Sequence, residues 1–92
     1  MIVRILTEGQ LRLPDSALEE LNGLDDTVLH TCQAKDEAAF AAALKTLLDR
    51  VRELGEPLAL DELVESDFVL PMGDATLEEV EQMMADDGLI PG

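Results

Sequence analysis

The sequence predicts an α+β fold, in which a small antiparallel sheet packs on a helical hairpin and a C-terminal helix. Two short apolar stretches at residues 2–6 and 10–13 are typical of paired strands. After Pro14, apolar residues recur at helical spacing in three separate stretches. Because the chain has 92 residues and is 47% hydrophobic, we expect one domain over residues 1–92 with a single modest core.

Two loop lengths are compatible with the N-terminal hairpin. A two-residue Glu8-Gly9 loop sets Leu6 opposite Leu11 but leaves a charged residue, Arg4, opposite Leu13. A three-residue loop over residues 7–9 provides glycine at a left-handed position and gives the hairpin one apolar face. We prefer this second register, which pairs two sets of apolar residues across the strands: Ile5 with Leu11, and Val3 with Leu13.

The preferred register also places Arg4 opposite Arg12 on the other face of the hairpin. Like charges directly opposite one another are unfavourable, so we expect an acidic group nearby. Residues 67–70, which end at a proline, are a candidate third strand. The arginine pair faces either Glu65 or Asp67 of this chain, on or next to that strand, or the acids of another molecule.

Three helices are predicted after the hairpin, at residues 15–34, 36–54 and 75–87. Each has a start signal of the usual kind, and the second and third also have stop signals. The candidate N-caps are Asp15 or Ser16 for the first helix, Asp36 for the second, and Asp74 or Thr76 for the third. Gly55 and Gly88 end the second and third. The apolar stripe of the first helix includes Leu24, or Asp25 beside it, and ends at Cys32.

Charge is distributed very unevenly along the chain. Residues 1–55 hold all six basic residues and ten acidic ones, a net charge of −4. Residues 56–92 hold eleven acidic residues and no basic one, a net charge of −11. This balance argues against binding to nucleic acid or anionic lipid, which needs clustered Lys and Arg. It is compatible with a docking surface for a basic partner, with acids that merely coat exposed faces, or with a saline cytoplasm.

The residues offer little for catalysis or metal binding. His30 and Cys32 are two positions apart on a predicted helix, so they point in different directions and cannot hold one ion together. A single cysteine excludes an intramolecular disulfide, and a second cysteine or histidine to complete a zinc site is missing. We expect a protein without catalytic residues, metal or cofactor, and with Cys32 in the core.

The apolar start of the chain is not the pattern of a targeting segment. It lacks a basic n-region, and Arg4 interrupts its apolar run. No apolar stretch reaches the length of a transmembrane helix. We therefore expect a cytoplasmic protein that does not insert into the membrane.

Four segments together resemble a known family. "MIVRILTEGQLRLP", "DSALEELNGLDD", "DELVESDFVLP" and "DATLEEVEQMMADDGLIPG" follow one another over essentially the whole chain. In this order they are similar to the PspA-associated protein family, PspAA. The resemblance implies a small cytoplasmic partner of PspA, a helical membrane-remodelling protein that guards the inner membrane under envelope stress. It carries over no active site.

The leading hypothesis is a non-enzymatic adaptor or regulator of a PspA-type response, recruited to the inner face of the membrane through its partner. Candidate contacts with a helical partner are the acids of the last helix and the two N-terminal arginines: Glu78, Glu79, Glu81, Arg4 and Arg12. One alternative is a homodimer formed through the edge of the hairpin, since short strands leave edges exposed. Others are a small acidic binding protein of an unrelated pathway, and a small enzyme or metal-binding protein.

Overall fold

A computed structural model describes residues 1–59, 64–84 and 88–90. Within these residues the chain forms four strands and three α-helices, and one turn of 3-10 helix, Asp15–Ala17, precedes the first α-helix. The α+β class is confirmed. In chain order the elements are β1 Ile2–Ile5, β2 Gly9–Arg12, α1 Leu18–Gln33, α2 Glu37–Leu54, β3 Glu56–Pro57, β4 Phe68–Leu70 and α3 Leu77–Met83.

The sheet has the strand order β3-β2-β1-β4, so the N-terminal hairpin lies in its centre. β2 is antiparallel to both β1 and β3, whereas β4 is parallel to β1. The predicted strand near residues 67–70 is thus present, but the expectation of a purely antiparallel sheet is wrong. β4 lies at the opposite edge of the sheet from β3 and runs in the same direction as β3. Since β3 is antiparallel to β2, and β2 to β1, β4 is parallel to its neighbour β1.

The hairpin register differs from the prediction by two residues. Val3 lies opposite Leu11, and Ile5 lies opposite Gly9. The turn closes one residue early, with a 3.0 Å hydrogen bond from the Glu8 N–H to the Ile5 carbonyl. Thr7 takes the positive φ of the loop at 71°, and Gly9, at 113°, becomes the first residue of β2.

The two-residue shift preserves the faces of the hairpin, because side chains alternate with a period of two. All four residues of the predicted apolar face are buried: Val3, Ile5, Leu11 and Leu13. The predicted pairing of Arg4 with Arg12 is wrong, since Arg4 lies opposite Gln10 and Arg12 opposite Ile2. The like-charge conflict expected from the sequence is thereby reduced.

α1 and α2 form the predicted antiparallel hairpin and cover the inner face of the sheet. Asp36 caps α2 as predicted, because its side chain accepts a 3.1 Å hydrogen bond from the Ala39 N–H. α1 lacks a side-chain cap and begins from the 3-10 turn instead. α3 is shorter than predicted and ends at Met83. The remainder of the predicted helix, residues 85–87, lies outside the described residues.

One core joins the sheet to the helices. Its fully buried members include Val3 and Ile5 of the central strand β1, Leu47 and Leu48 of α2, and Val80 of α3. Burial of such a side chain stabilises the fold by roughly 1.5–3 kcal/mol. These aliphatic contacts, rather than aromatic stacking, hold the layers together.

A buried carboxylate fixes the last described segment, Gly88–Ile90, which we term the C-terminal strap. Asp25 of α1 is 1% exposed. Its two oxygens accept hydrogen bonds from the backbone N–H groups of Leu89, at 3.0 Å, and Ile90, at 2.8 Å. Hydrogen bonding of this kind compensates for removing a charged group from water. The strap in turn adds Leu89 and Ile90 to the core.

Only glycine fits at the start of the strap. Gly88 has a φ of +99°, and a Cβ atom added there would lie 2.6 Å from Asp25 Oδ2. A side chain would therefore strain the backbone and displace the carboxylate that holds the strap.

We predict that Gly88→Ala lowers the free energy of unfolding by roughly 1–3 kcal/mol, through backbone strain and the contact with Asp25. The matched control is Gly23→Ala, on an open part of α1 with nothing within 4 Å of the added Cβ. That change should raise the free energy of unfolding by about 1 kcal/mol, the usual helix-propensity difference. Urea denaturation measures both, and a neutral Gly88→Ala would contradict the described contact.

A second prediction concerns Glu8, in the hairpin turn, which pairs with Arg52 near the end of α2. The hydrogen bond from Arg52 lowers the pKa of Glu8 from its ordinary value of 4.5. A lowered pKa gives stability that is present in full above pH 4.5 and is lost as the pH falls through the folded-state pKa.

Glu8→Gln should therefore cost on the order of 0.5 kcal/mol near pH 7, a typical value for an exposed ion pair. The difference from the wild type should vanish at acidic pH. Glu19→Gln is the control, since Glu19 is exposed and forms no ion pair within the described residues. Unfolding curves between pH 3 and 7 test this, and a Glu8→Gln difference that persists at pH 3 would argue against the pair.

Candidate partner-binding surfaces

α3 owes its start to a reciprocal pair of hydrogen bonds. The Thr76 hydroxyl accepts from the Glu79 N–H at 3.1 Å, and the Glu79 carboxylate accepts from the Thr76 N–H at 2.9 Å. This capping box satisfies two donors that the first turn of a helix leaves free. The helix then buries Leu77 and Val80 against α1 and α2.

The three predicted acidic contacts on α3 have different surroundings. Glu79 caps its own helix, and the hydrogen bond from the Thr76 backbone lowers the pKa of this carboxyl. Glu81 pairs with Lys35, at the turn between α1 and α2. Glu78 is exposed and forms no ion pair within the described residues. Of the three, Glu78 has the carboxylate most available to another molecule.

A shallow groove lies between the first turns of α2 and α3. We call it the acidic groove: its lining residues are Glu37, Phe40, Ala41, Ala75, Thr76 and Leu77. Glu37 stands on one side, and Asp74 and Glu78 flank the opposite wall in the sequence. The lining of the groove is therefore mostly apolar and includes one carboxylate, that of Glu37.

The predicted arginines lie on the outer face of the sheet, away from the helices. Arg4, on the central strand, has uncharged neighbours on both sides, Gln10 of β2 and Val69 of β4. Arg12 lies opposite Glu56 of β3. Neither arginine forms an ion pair with any residue in the described part of the chain.

The acids expected to neutralise the arginines do not do so. The Asp67 carboxylate accepts a 2.6 Å hydrogen bond from the Ile2 N–H, which fixes the start of β4 beside β1. Glu65 is exposed, and among the described residues it has no basic partner. The expectation was wrong for Asp67 because its carboxylate is bound to the backbone of β1 rather than to an arginine.

The other four basic residues all have acidic partners. Lys35 pairs with Glu81, and Lys45 with Asp49 at 2.5 Å. The arginines of α2 each have two partners: Arg50 pairs with Glu20 and Glu53, and Arg52 with Glu8 and Asp49. Within the described residues, only the two arginines of the sheet are left without an ion pair.

These features coincide with a family match. The model of the PspA-associated protein family, PspAA, matches residues 1–92, the whole chain. The chain belongs to the PspAA family. No curated protein and no solved structure matches it significantly.

Three segments that carry the resemblance to PspAA bring distant parts of the chain together. "MIVRIL" with "EGQ" forms β1, the turn and the start of β2. "SDFVLP" provides Asp67, which binds the β1 backbone, and then β4. "GLI" is the strap held by Asp25. Residues distant in the sequence thus meet in one sheet and on one buried carboxylate.

The sequence carries only a weak signal for the burial of Asp25. Asp25 occupies a position beside Leu24 on the apolar stripe of α1, so its burial was open as an alternative. The strap could not be anticipated, because its donors lie more than sixty residues away. A charged residue in register with an apolar stripe is the signal that could have found it.

Cys32 lies in the core of this PspAA protein, as predicted, and is 2% exposed. Its thiol donates a long, 3.7 Å hydrogen bond to the Leu77 carbonyl, and burial raises the pKa of the thiol. His30 is exposed on α1. Within residues 1–59, 64–84 and 88–90, no three His, Cys, Asp or Glu side chains are grouped to hold a metal ion. In the same part of the chain, no helix is long and apolar enough to cross a membrane.

We predict that Thr76→Ala lowers the free energy of unfolding by about 1 kcal/mol, the usual cost of removing an N-cap hydroxyl. Thr76→Ser, which keeps the hydroxyl, is the control and should stay near the wild type. Thermal or urea unfolding measures both. Equal losses for the two variants would show that the methyl group, not the cap, stabilises α3.

Proposed function

We propose that this chain is a non-enzymatic adaptor or regulator of a PspA-type envelope-stress response, acting in the cytoplasm. The observation that carries the proposal is the match of the PspAA family model over the whole chain. The family name itself refers to association with PspA. The proposed partner is therefore a helical, membrane-remodelling protein of the PspA type, which recruits this chain to the inner face of the membrane.

The acidic groove supports one half of this proposal. Its lining is mostly apolar, with one carboxylate from Glu37, and exposed Glu78 adjoins the lining residue Leu77 in the sequence. An amphipathic helix with basic flanks has the complementary pattern, since its apolar side chains lie at three- and four-residue spacing. Glu78 is the contact that we favour most, with Glu79 and Glu81 beside it.

A homodimer through the hairpin edge was an alternative because that edge was expected to be exposed, and the structure does not leave it exposed. Both strands of the hairpin have partners within the chain, β3 on one side and β4 on the other. In the part of the chain that the structure describes, the edges of the sheet are these two short strands, of two and three residues. The adaptor hypothesis does not depend on self-association.

The proposal is tested by measuring the affinity of the chain for PspA from the same organism, by calorimetry at low and high salt. The triple variant Glu78→Gln, Glu79→Gln and Glu81→Gln should bind roughly tenfold more weakly at low salt, with a smaller difference at high salt. Glutamine at position 79 can still form a capping box, so the helix should persist.

The matched control removes three charges elsewhere: Glu19→Gln, Asp26→Asn and Glu53→Gln. It also breaks one exposed ion pair, that of Glu53 with Arg50, as the test variant breaks that of Glu81 with Lys35. Equal affinities of the two triple variants would exclude the three α3 carboxylates as docking contacts. Absence of binding by the wild type would overturn the adaptor proposal itself.

A further inference from the structure

A second surface of the chain carries two basic side chains that form no ion pair within the described residues. The outer face of the sheet carries Arg4 and Arg12, the two basic residues without an ion pair in the described part of the chain. In a chain with 21 acidic and only six basic residues, every cation has many potential partners. Four of the six basic residues are paired within the described residues, and these two are not. The side chains of Arg4 and Arg12 are therefore the positive groups most available to another molecule.

The spacing of the two arginines suits a shared contact. Arg4 lies opposite Gln10, so Arg12, two residues further along the same strand as Gln10, is its diagonal neighbour. Diagonal positions on one face of a sheet are about 7–8 Å apart at Cα, well within the reach of two long side chains toward one segment. Carboxylates three or four residues apart on a helix lie roughly 5–6 Å from each other at Cβ, which matches that reach.

Exposed apolar groups accompany the arginines. Val69 is the neighbour of Arg4 on β4 and is 39% exposed, and Val64 is 40% exposed. Val64 is held over the same face, because Gln10 Nε2 donates 2.9 Å hydrogen bonds to the Val64 carbonyl and the Ser66 hydroxyl. We call the surface formed by Arg4, Arg12, Val64 and Val69 the arginine face.

Acidic residues limit what can bind there. Glu56 lies opposite Arg12, Glu65 adjoins Val64, and Asp67 binds the Ile2 N–H beside Arg4. With a net charge of −15, the chain as a whole repels anions at long range. Free anions and lipid surfaces are therefore disfavoured, and the arginine face suits a ligand that adds apolar contacts to its charge.

We propose that the arginine face binds an acidic, amphipathic helix of the PspA partner. This inference rests on the proposed function and extends it, since α3 packs on α1 and α2 while the arginines point from the far side of the sheet. The chain then has two docking surfaces on different parts of the fold. The acidic groove takes a basic segment and the arginine face takes an acidic one.

The test measures affinity for PspA from the same organism, by calorimetry, for the wild type and for Arg4→Gln with Arg12→Gln. The double variant should bind roughly tenfold more weakly than the wild type. The difference between their affinities should become smaller as the salt concentration rises. The matched control, Lys45→Gln with Arg50→Gln, removes two positive charges from the helical layer and should bind within about twofold of the wild type.

The outcomes separate the two proposals. If the wild type does not bind PspA, the adaptor proposal fails and this inference fails with it. If the wild type binds and the two double variants have equal affinity, only the arginine face is excluded. If the chain alone sediments as a dimer that Arg4→Gln with Arg12→Gln dissociates, the occupant is a second copy and the inference is wrong.

A charge exchange identifies the acidic segment. Arg4→Glu with Arg12→Glu should abolish binding to wild-type PspA. PspA variants in which one acidic cluster at a time is changed to lysine should then be screened against it. Restored binding by one cluster supports the proposal, and failure of every cluster to restore binding overturns it.

Discussion

Positive charge is scarce in this chain, and its placement organises the molecule. Three of the ion pairs join elements distant in sequence: Glu8 with Arg52, Glu20 with Arg50, and Lys35 with Glu81. They connect the hairpin turn to α2, α1 to α2, and the helical turn to α3. Exposed pairs contribute at most about 1 kcal/mol each. Their main effect is thus to orient layers that the aliphatic core holds together.

Arg4 and Arg12 are the two basic residues that form no ion pair within the described residues. The polar groups before β4 are used by the sheet itself, Asp67 on the Ile2 N–H and Ser66 on the Gln10 side chain. The arginines are therefore left on the face opposite the helices, while unpaired acids border the groove near α3.

A buried carboxylate, that of Asp25, holds the C-terminal strap against α1. Asp25 stands beside the apolar stripe of α1, and its carboxylate accepts hydrogen bonds from two backbone N–H groups of the strap. Unpaired, each of those donors would cost about 1–3 kcal/mol when buried. The carboxylate thereby fixes the path of the chain after α3, and Gly88 is the residue that lets the backbone approach it.

The sequence alone determined the class of fold, the two faces of the hairpin, the helical hairpin with its Asp36 cap, and the strand near residue 68, β4. These follow from local rules: alternation with a period of two, apolar spacing on helices, and capping chemistry. The family was also readable from ordered segments. Tertiary structure decided the register, the parallel direction of β4, the length of α3 and the partners of Asp25 and Asp67. Each of these depends on contacts between distant residues, and a shift of two residues or a reversed strand leaves the local pattern unchanged.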